Sequence, residues 1–243
     1  MITTADLIRE KLSLQNLAEG LYEMSYTSLW KRKMYNENKV FEQLRKKYGE
    51  TPLNRQMIIN LFKDENFYDG FLCAMTWGGI GSNVKGKAIF NSVFSKGNQK
   101  CISKKIKRVA QILNDESKES EERIRIAYLS LVDKNENGIE GIGESFYTKI
   151  LFFVGAGIES LTLKPLIYDR HMKDAYQNLL DKPITKAEQP IEQYIDYCRK
   201  MEVLREQLNF PSSGHVEALL FQPTIRRVIF GYEERNDEES LTH

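Results

Sequence analysis

The residues best placed to do chemistry lie between Gly138 and His171. Within that stretch, Ile139-Glu-Gly141-Ile142-Gly143 sits between two apolar segments, Ile124 to Val132 and Ser145 to Val154. This spacing suggests a helix–hairpin–helix over residues 124–154. Gly141 and Gly143 would let the chain turn tightly and bring backbone N–H groups against a DNA phosphate. The following helix N-terminus has a dipole that favours anions. Ile139 and Ile142 would pin the hairpin to the core. Two packed helices joined by an ordinary glycine-rich turn would spell the same letters. A carboxylate stands downstream: Asp169 lies 26 residues after Gly143, four after Pro165 and two before His171. A helix is expected over 170–180, and Asp is a common N-cap, a role compatible with chemistry. A second pattern overlaps the hairpin. Asp133-Lys-Asn135-Glu-Asn137-Gly138, then five residues and Glu144, has the spacing of an EF-hand calcium loop. Glu140 falls where such loops usually carry an apolar residue, and no second hand occurs.

The elements that must hold these residues read as helices. No proline occurs between Pro52 and Pro165, an interval too long to be loop. Apolar residues recur at helical spacing in the sets Met57, Ile58, Leu61, Phe62 and Phe67, Phe71, Met75. Ile102, Ile106, Val109, Ile112 and Leu113 form another set, and Ile124, Ala127, Tyr128 and Leu131 the next. Helices are also expected around Leu7 to Leu21, Val40 to Leu44, Phe146 to Phe153, Met172 to Leu180 and Ile191 to Leu208. Period-two alternation is scarce, so the fold class is all-α with ten or more helices. Stops are expected at Gly49, Gly78–Gly81, Gly97, Gly138 and Gly155/Gly157. Residues 115–123 read as a solvated connector or first turn, and the acidic tail from Glu233 to His243 as frayed.

With these residues in place, the chain resembles the helix–hairpin–helix DNA glycosylase superfamily, and within it the 8-oxoguanine DNA glycosylase branch. In that branch the hairpin is followed by a Pro-x-Asp-x-His segment. The resemblance covers residues 120–180 well, and the rest only as an all-helical pattern. It implies that Asp169 is the catalytic carboxylate and that Gly141, Ile142 and Gly143 form the DNA-binding hairpin. His171 would contact a phosphate or the flipped nucleotide. Breaking an N-glycosidic bond builds oxocarbenium character on the sugar, which a carboxylate in a dry pocket stabilises. The base must first leave the duplex, which suits a pocket between two helical subdomains. The expected division is 1–64 plus 165–243 against 65–164, with the cleft between them.

Two departures stand out. Pro165 comes two residues earlier than the family's proline. More important, bifunctional members carry a lysine two residues after the second glycine, where this chain has Ser145. Lys149 follows at i+4, so both project from one helix face. Kept neutral by burial beside Phe146, Ile150 and Phe153, it could attack C1′ and form a Schiff base. Otherwise it would snorkel to a phosphate or pair with an acid, leaving a monofunctional or inactive protein. The resemblance also implies a monovalent cation held by hairpin carbonyls, and no other cofactor. Trp77, beside Gly78-Gly79, and Phe221 are candidates for the base pocket, Trp77 equally for the core. His215 reads as structural, and the Trp30-Lys31-Arg32-Lys33 cluster as an exposed basic turn.

Composition sets outer limits. The 243 residues carry 35 Lys+Arg against 34 Asp+Glu, so no global polybasic character advertises nucleic acid or membrane. Locally, Gly81 to Asn114 holds no acid and eight basic residues, a stretch that could dock on phosphates or form a solvated face. The longest stretch without a polar side chain, Ile150 to Ile158, is far short of the roughly 20 residues of a membrane helix. Three widely spaced cysteines argue against a disulfide framework and for a reducing, cytoplasmic setting. The expected protein is a monomeric glycosylase that removes an oxidised purine from DNA, with strand-cleaving lyase activity as a further option. A non-catalytic DNA-binding module is the alternative, favoured by Ser145. Bacterial proteins that resemble this branch also occur beside anti-phage genes, which makes a modified phage base or nucleotide a further candidate target.

Overall fold

The computed structural model describes residues 13–24, 39–49, 51, 53–78, 99–133, 138–139, 141–180, 190–222 and 225. The Trp30–Lys33 cluster, Lys85, Lys87, Lys96, Gly79 to Gly81, Gly97, residues 134–137, Glu140 and the acidic tail lie outside them. All regular structure among the described residues is helical. The order is α1 (Ser13–Tyr22), α2 (Lys39–Tyr48), α3 (Arg55–Lys63), α4 (Phe67–Trp77) and α5 (Gln99–Leu113). Then follow α6 (Ser120–Val132), α7 (Glu144–Ala156), α8 (Arg170–Leu180), α9 (Pro190–Leu208) and α10 (Ser213–Leu220).

Helix α7 is the hub. Its residues from Thr148 to Gly155 are all buried, and a helix with no polar face must sit inside. It packs against α3, α4, α5 and α6. Helix α5 shows the opposite pattern: Ile102, Ile106, Val109, Ile112 and Leu113 are buried, while Lys100, Lys104, Lys107 and Arg108 face water. Helix α10 is buried along its whole length and packs on α1, α9 and α8.

One stretch differs from its sequence reading. Residues 120–123 of the 115–123 run are the first turn of α6, as one of the two readings had it, but that turn is not solvated throughout, because Ser120 and Arg123 are each only 4% exposed. The Arg123 guanidinium donates to the Leu113 carbonyl, closing the end of α5, and to the Ser160 carbonyl and hydroxyl. The long side chain of an otherwise charged run thus serves as an internal brace.

Between α7 and α8 the chain runs without regular structure through Lys164 to Asp169, yet Leu166, Ile167 and Tyr168 are buried. Their backbone polar groups must therefore find side-chain partners. The Leu166 N–H donates to the Tyr194 hydroxyl at 3.1 Å, which donates back to the Leu166 carbonyl at 2.8 Å. The Tyr197 hydroxyl donates to the Ile167 carbonyl at 2.9 Å. The Tyr168 N–H donates to Thr148 Oγ1 of α7 at 3.1 Å. Two α9 tyrosines and one α7 threonine therefore hold the segment that delivers Asp169. Tyr194→Phe leaves two buried backbone groups without this partner and should cost about 1–3 kcal/mol. A thermal melt checks it: a chain of this size should lose several degrees of Tm.

Candidate active site

The hairpin joins α6 to α7. Gly141 has φ 84°, a left-handed conformation that side-chain-bearing residues rarely adopt, and it makes the turn. Ile139 is buried and Ile142 packs against the core, so both isoleucines anchor the loop. Gly143 is the N-cap residue of α7 and makes no side-chain cap. Its carbonyl accepts the Phe146 and Tyr147 N–H groups. A Cβ added at Gly143 would meet nothing within 4 Å.

The hairpin's surroundings bear on two other readings. Lys105 of the basic helix α5 donates to the Gly138 carbonyl. That oxygen thus already carries an ammonium group and does not fit as a ligand to a further cation. Glu144, the last position of the calcium-loop pattern, accepts from the Tyr128 hydroxyl at 2.5 Å and pairs with Lys173. Its carboxylate ties α7 to α6 and α8.

One helical turn into α7, Lys149 is 4% exposed. Its Nζ donates to the Ser145 carbonyl at 3.0 Å and to Ser145 Oγ at 3.2 Å, and lies 3.5 Å from Asp169 Oδ2. The amine therefore reaches the neighbourhood of Ser145 and the aspartate together. Gly78, which ends α4, makes room for its stem: a Cβ there would fall 2.8 Å from Lys149 Cδ. Burial pushes the Lys149 pKa down, and the nearby carboxylates of Asp169 and Glu217 only partly restore the charged form. Asp169 uses its other oxygen as a helix cap, Oδ1 accepting the Met172 N–H at 3.2 Å.

Lys149 and Asp169 line an open cavity of about 540 Å³, together with Arg55, Trp77, Phe221 and Glu217. Trp77 also contacts Phe153 edge-on at 5.4 Å, so it serves core and cavity at once. His171 is not among the lining residues and touches the cavity wall through an edge-on contact with Phe221 at 5.3 Å. His215 stacks on Tyr22 at 4.1 Å and bonds Ser212 through Nδ1.

Sequence reasoning missed one pair entirely. Arg55, the first residue of α3, donates from Nη2 to both Glu217 oxygens at 3.2 and 3.3 Å. The two are 162 residues apart. Burial pushes the Glu217 carboxyl up to about 7, only partly opposed by the Arg55 guanidinium, while Asp169 adds to the rise. A lone acid inside the apolar run Val216 to Phe221 was the available signal.

The chain is all-helical among the described residues, with a glycine hairpin and with a buried lysine beside a partly buried aspartate. A family model described as "Putative 8-oxoguanine DNA glycosylase OGG-like protein" matches residues 23–221, and the chain belongs to that family. The family is of DNA glycosylase type, and DNA is the partner it implies. Neither the curated proteins nor the solved structures gave a match. Among the described residues no helix is long and apolar enough to cross a membrane.

Proposed function

We propose that this chain is a DNA N-glycosylase that takes an extruded, oxidised purine into the cavity and also cleaves the strand through a Schiff base. The observation that carries the reading is the Lys149–Asp169 pair, 3.5 Å apart, nearly buried and on the wall of one cavity. Neutral Lys149 Nζ attacks C1′ as the C1′–N bond breaks. The base departs with the bonding pair and a proton, while Asp169 stabilises the positive charge that develops on the sugar. The substituted amine then loses both of its protons, one of them to the ring oxygen as the ring opens, and the imine results. Elimination at that imine then breaks the 3′ phosphate ester. The cavity would be the cleft between the two expected subdomains, since Trp77 and Lys149 belong to one and Arg55, Asp169 and Phe221 to the other.

The hairpin supplies the grip on DNA. Gly141 and Gly143 are exposed beside the N-terminus of α7, and the basic face of α5 lies next to them through Lys105. Gly143→Ala should leave Tm within about 1 °C, because its Cβ enters open space. The same methyl would stand where a phosphate approaches the backbone, so affinity for duplex should fall several-fold in a binding titration.

Single-turnover incubation with duplexes carrying 8-oxoguanine, uracil or an abasic site tests the whole reading. Release of 8-oxoguanine with a borohydride-trapped adduct is the expected result. Binding of all three duplexes without base release or adduct would overturn it in favour of a non-catalytic module.

A further inference from the structure

The cavity holds a charge pair that the reaction above does not use. Arg55 and Glu217 have side-chain exposures of 5% and 1%. The Arg55 guanidinium is held by three rings and a carbonyl as well as by Glu217. Its carbon lies 5.0 Å from the ring centres of both Tyr22 and Trp77 and 5.7 Å from that of Phe152. Its Nη1 donates to the Tyr22 carbonyl at 3.5 Å. Buried ion pairs contribute little net stability, so a pair set into a cavity wall invites a functional account.

Charge balance within the cavity gives that account. With all four groups ionised, Arg55 and Lys149 offset Asp169 and Glu217. Lys149 must lose a proton before it can attack. If that proton went to bulk water, one guanidinium would face two buried carboxylates, an arrangement a low-dielectric site disfavours. If a carboxylate inside the cavity takes it, the site stays neutral. Asp169 is needed as an anion and already caps α8 through Oδ1. Glu217 accepts only from one Arg55 nitrogen among the described residues, which leaves lone pairs on both oxygens.

We infer that Glu217 is the proton carrier of this site, taking a proton from the Lys149 ammonium and returning it to the departing base. Arg55 is its positioning residue. The step balances. The Nζ proton passes to a Glu217 oxygen across the cavity that both groups line, and the freed nitrogen pair forms the bond to C1′. The C1′–N pair leaves with the base, and the Glu217 proton goes to the base nitrogen, restoring the carboxylate. The inference rests on the glycosylase reading above and adds the source of the base's proton.

The groups facing Glu217 are Arg55 from α3, Lys149 from α7, Asp169 ahead of α8, Tyr22 of α1 and Tyr197 of α9. Both tyrosines are pushed above their ordinary value by burial, so they stay neutral through the relevant range. Glu217, up at about 7, is the group whose acid form disappears as pH rises through neutrality. Only its carboxylate can take the Lys149 proton, so single-turnover excision of 8-oxoguanine should decline as pH falls below about 7 in the wild type. In Glu217→Gln it should be about 10²-fold slower at pH 8 and lack that decline, as expected of a lost proton carrier.

An infrared measurement reads the same group without activity. The wild type should show a protonated-carboxyl stretch at pH 6.5 that is lost by pH 8 and is missing from Glu217→Gln. Should the single variant melt, Arg55→Gln/Glu217→Gln, which leaves neither member of this pair charged without its partner, is compared instead. A variant whose profile parallels the wild type, or a wild type without the carboxyl band, would overturn the proton carrier while leaving the glycosylase standing. A wild type that neither releases base nor traps an abasic site overturns the glycosylase reading, and this inference with it.

Discussion

Lys149→Gln should abolish borohydride trapping on an abasic duplex and slow release of 8-oxoguanine by at least ~10³-fold, as loss of a nucleophile does. The expectation follows from where the amine sits. Its Nζ is 3.5 Å from the Asp169 carboxylate, and burial disfavours its charged form more than the neighbouring carboxylates restore it. A depressed folded pKa also has a thermodynamic signature. Between that value and the ordinary 10.5, the unfolded chain binds more protons than the native one, so stability rises with pH over that window. Glutamine cannot titrate, and the variant should lack this contribution in melts recorded from neutral pH upward. Loss of trapping together with this slope makes Lys149 both nucleophile and buried neutral amine. Base release that persists without trapping would instead make water the nucleophile and the enzyme monofunctional.

What the sequence made legible was what is local along it. The hairpin glycines, the isoleucines on either side and the i, i+4 relation of Ser145 to Lys149 all follow from short spacing. The structure has Lys149 Nζ bonded to both the carbonyl and the hydroxyl of Ser145. The helical periods were equally readable, because each reports one buried face. Contacts between distant segments were not. Tyr194 reaches Leu166 across 28 residues and Arg55 reaches Glu217 across 162, and no periodicity encodes either. Arg123 was misread for the same reason: its charge fits a solvated run, but its partner Ser160 lies 37 residues on. The polar groups that hold the site are thus the least visible part of it, since their partners arrive only with the tertiary fold.

Asp169→Asn should separate bond breaking from imine formation. Asparagine keeps a side-chain oxygen that can accept the Met172 N–H, now 3.2 Å from Oδ1, and it caps helices about as well as aspartate. Stability should therefore change by less than about 1 kcal/mol, whereas Asp169→Ala should cost about 1 kcal/mol by losing the cap. The charge is another matter. An oxocarbenium-like sugar loses its nearest anion, and excision of 8-oxoguanine should fall by about 10²–10³-fold, the usual scale for one electrostatic contact to a transition state. Trapping on an abasic duplex should persist, because no glycosidic bond remains to be broken there. It should even extend to lower pH, since the Asp169 carboxylate is the largest influence favouring the Lys149 ammonium and its removal leaves more neutral amine. Parallel single-turnover assays on the two duplexes from pH 6 to 9 check this. If both activities fall together, Asp169 acts by placing Lys149 rather than by stabilising the sugar. The 3.5 Å contact would then be the whole of its contribution.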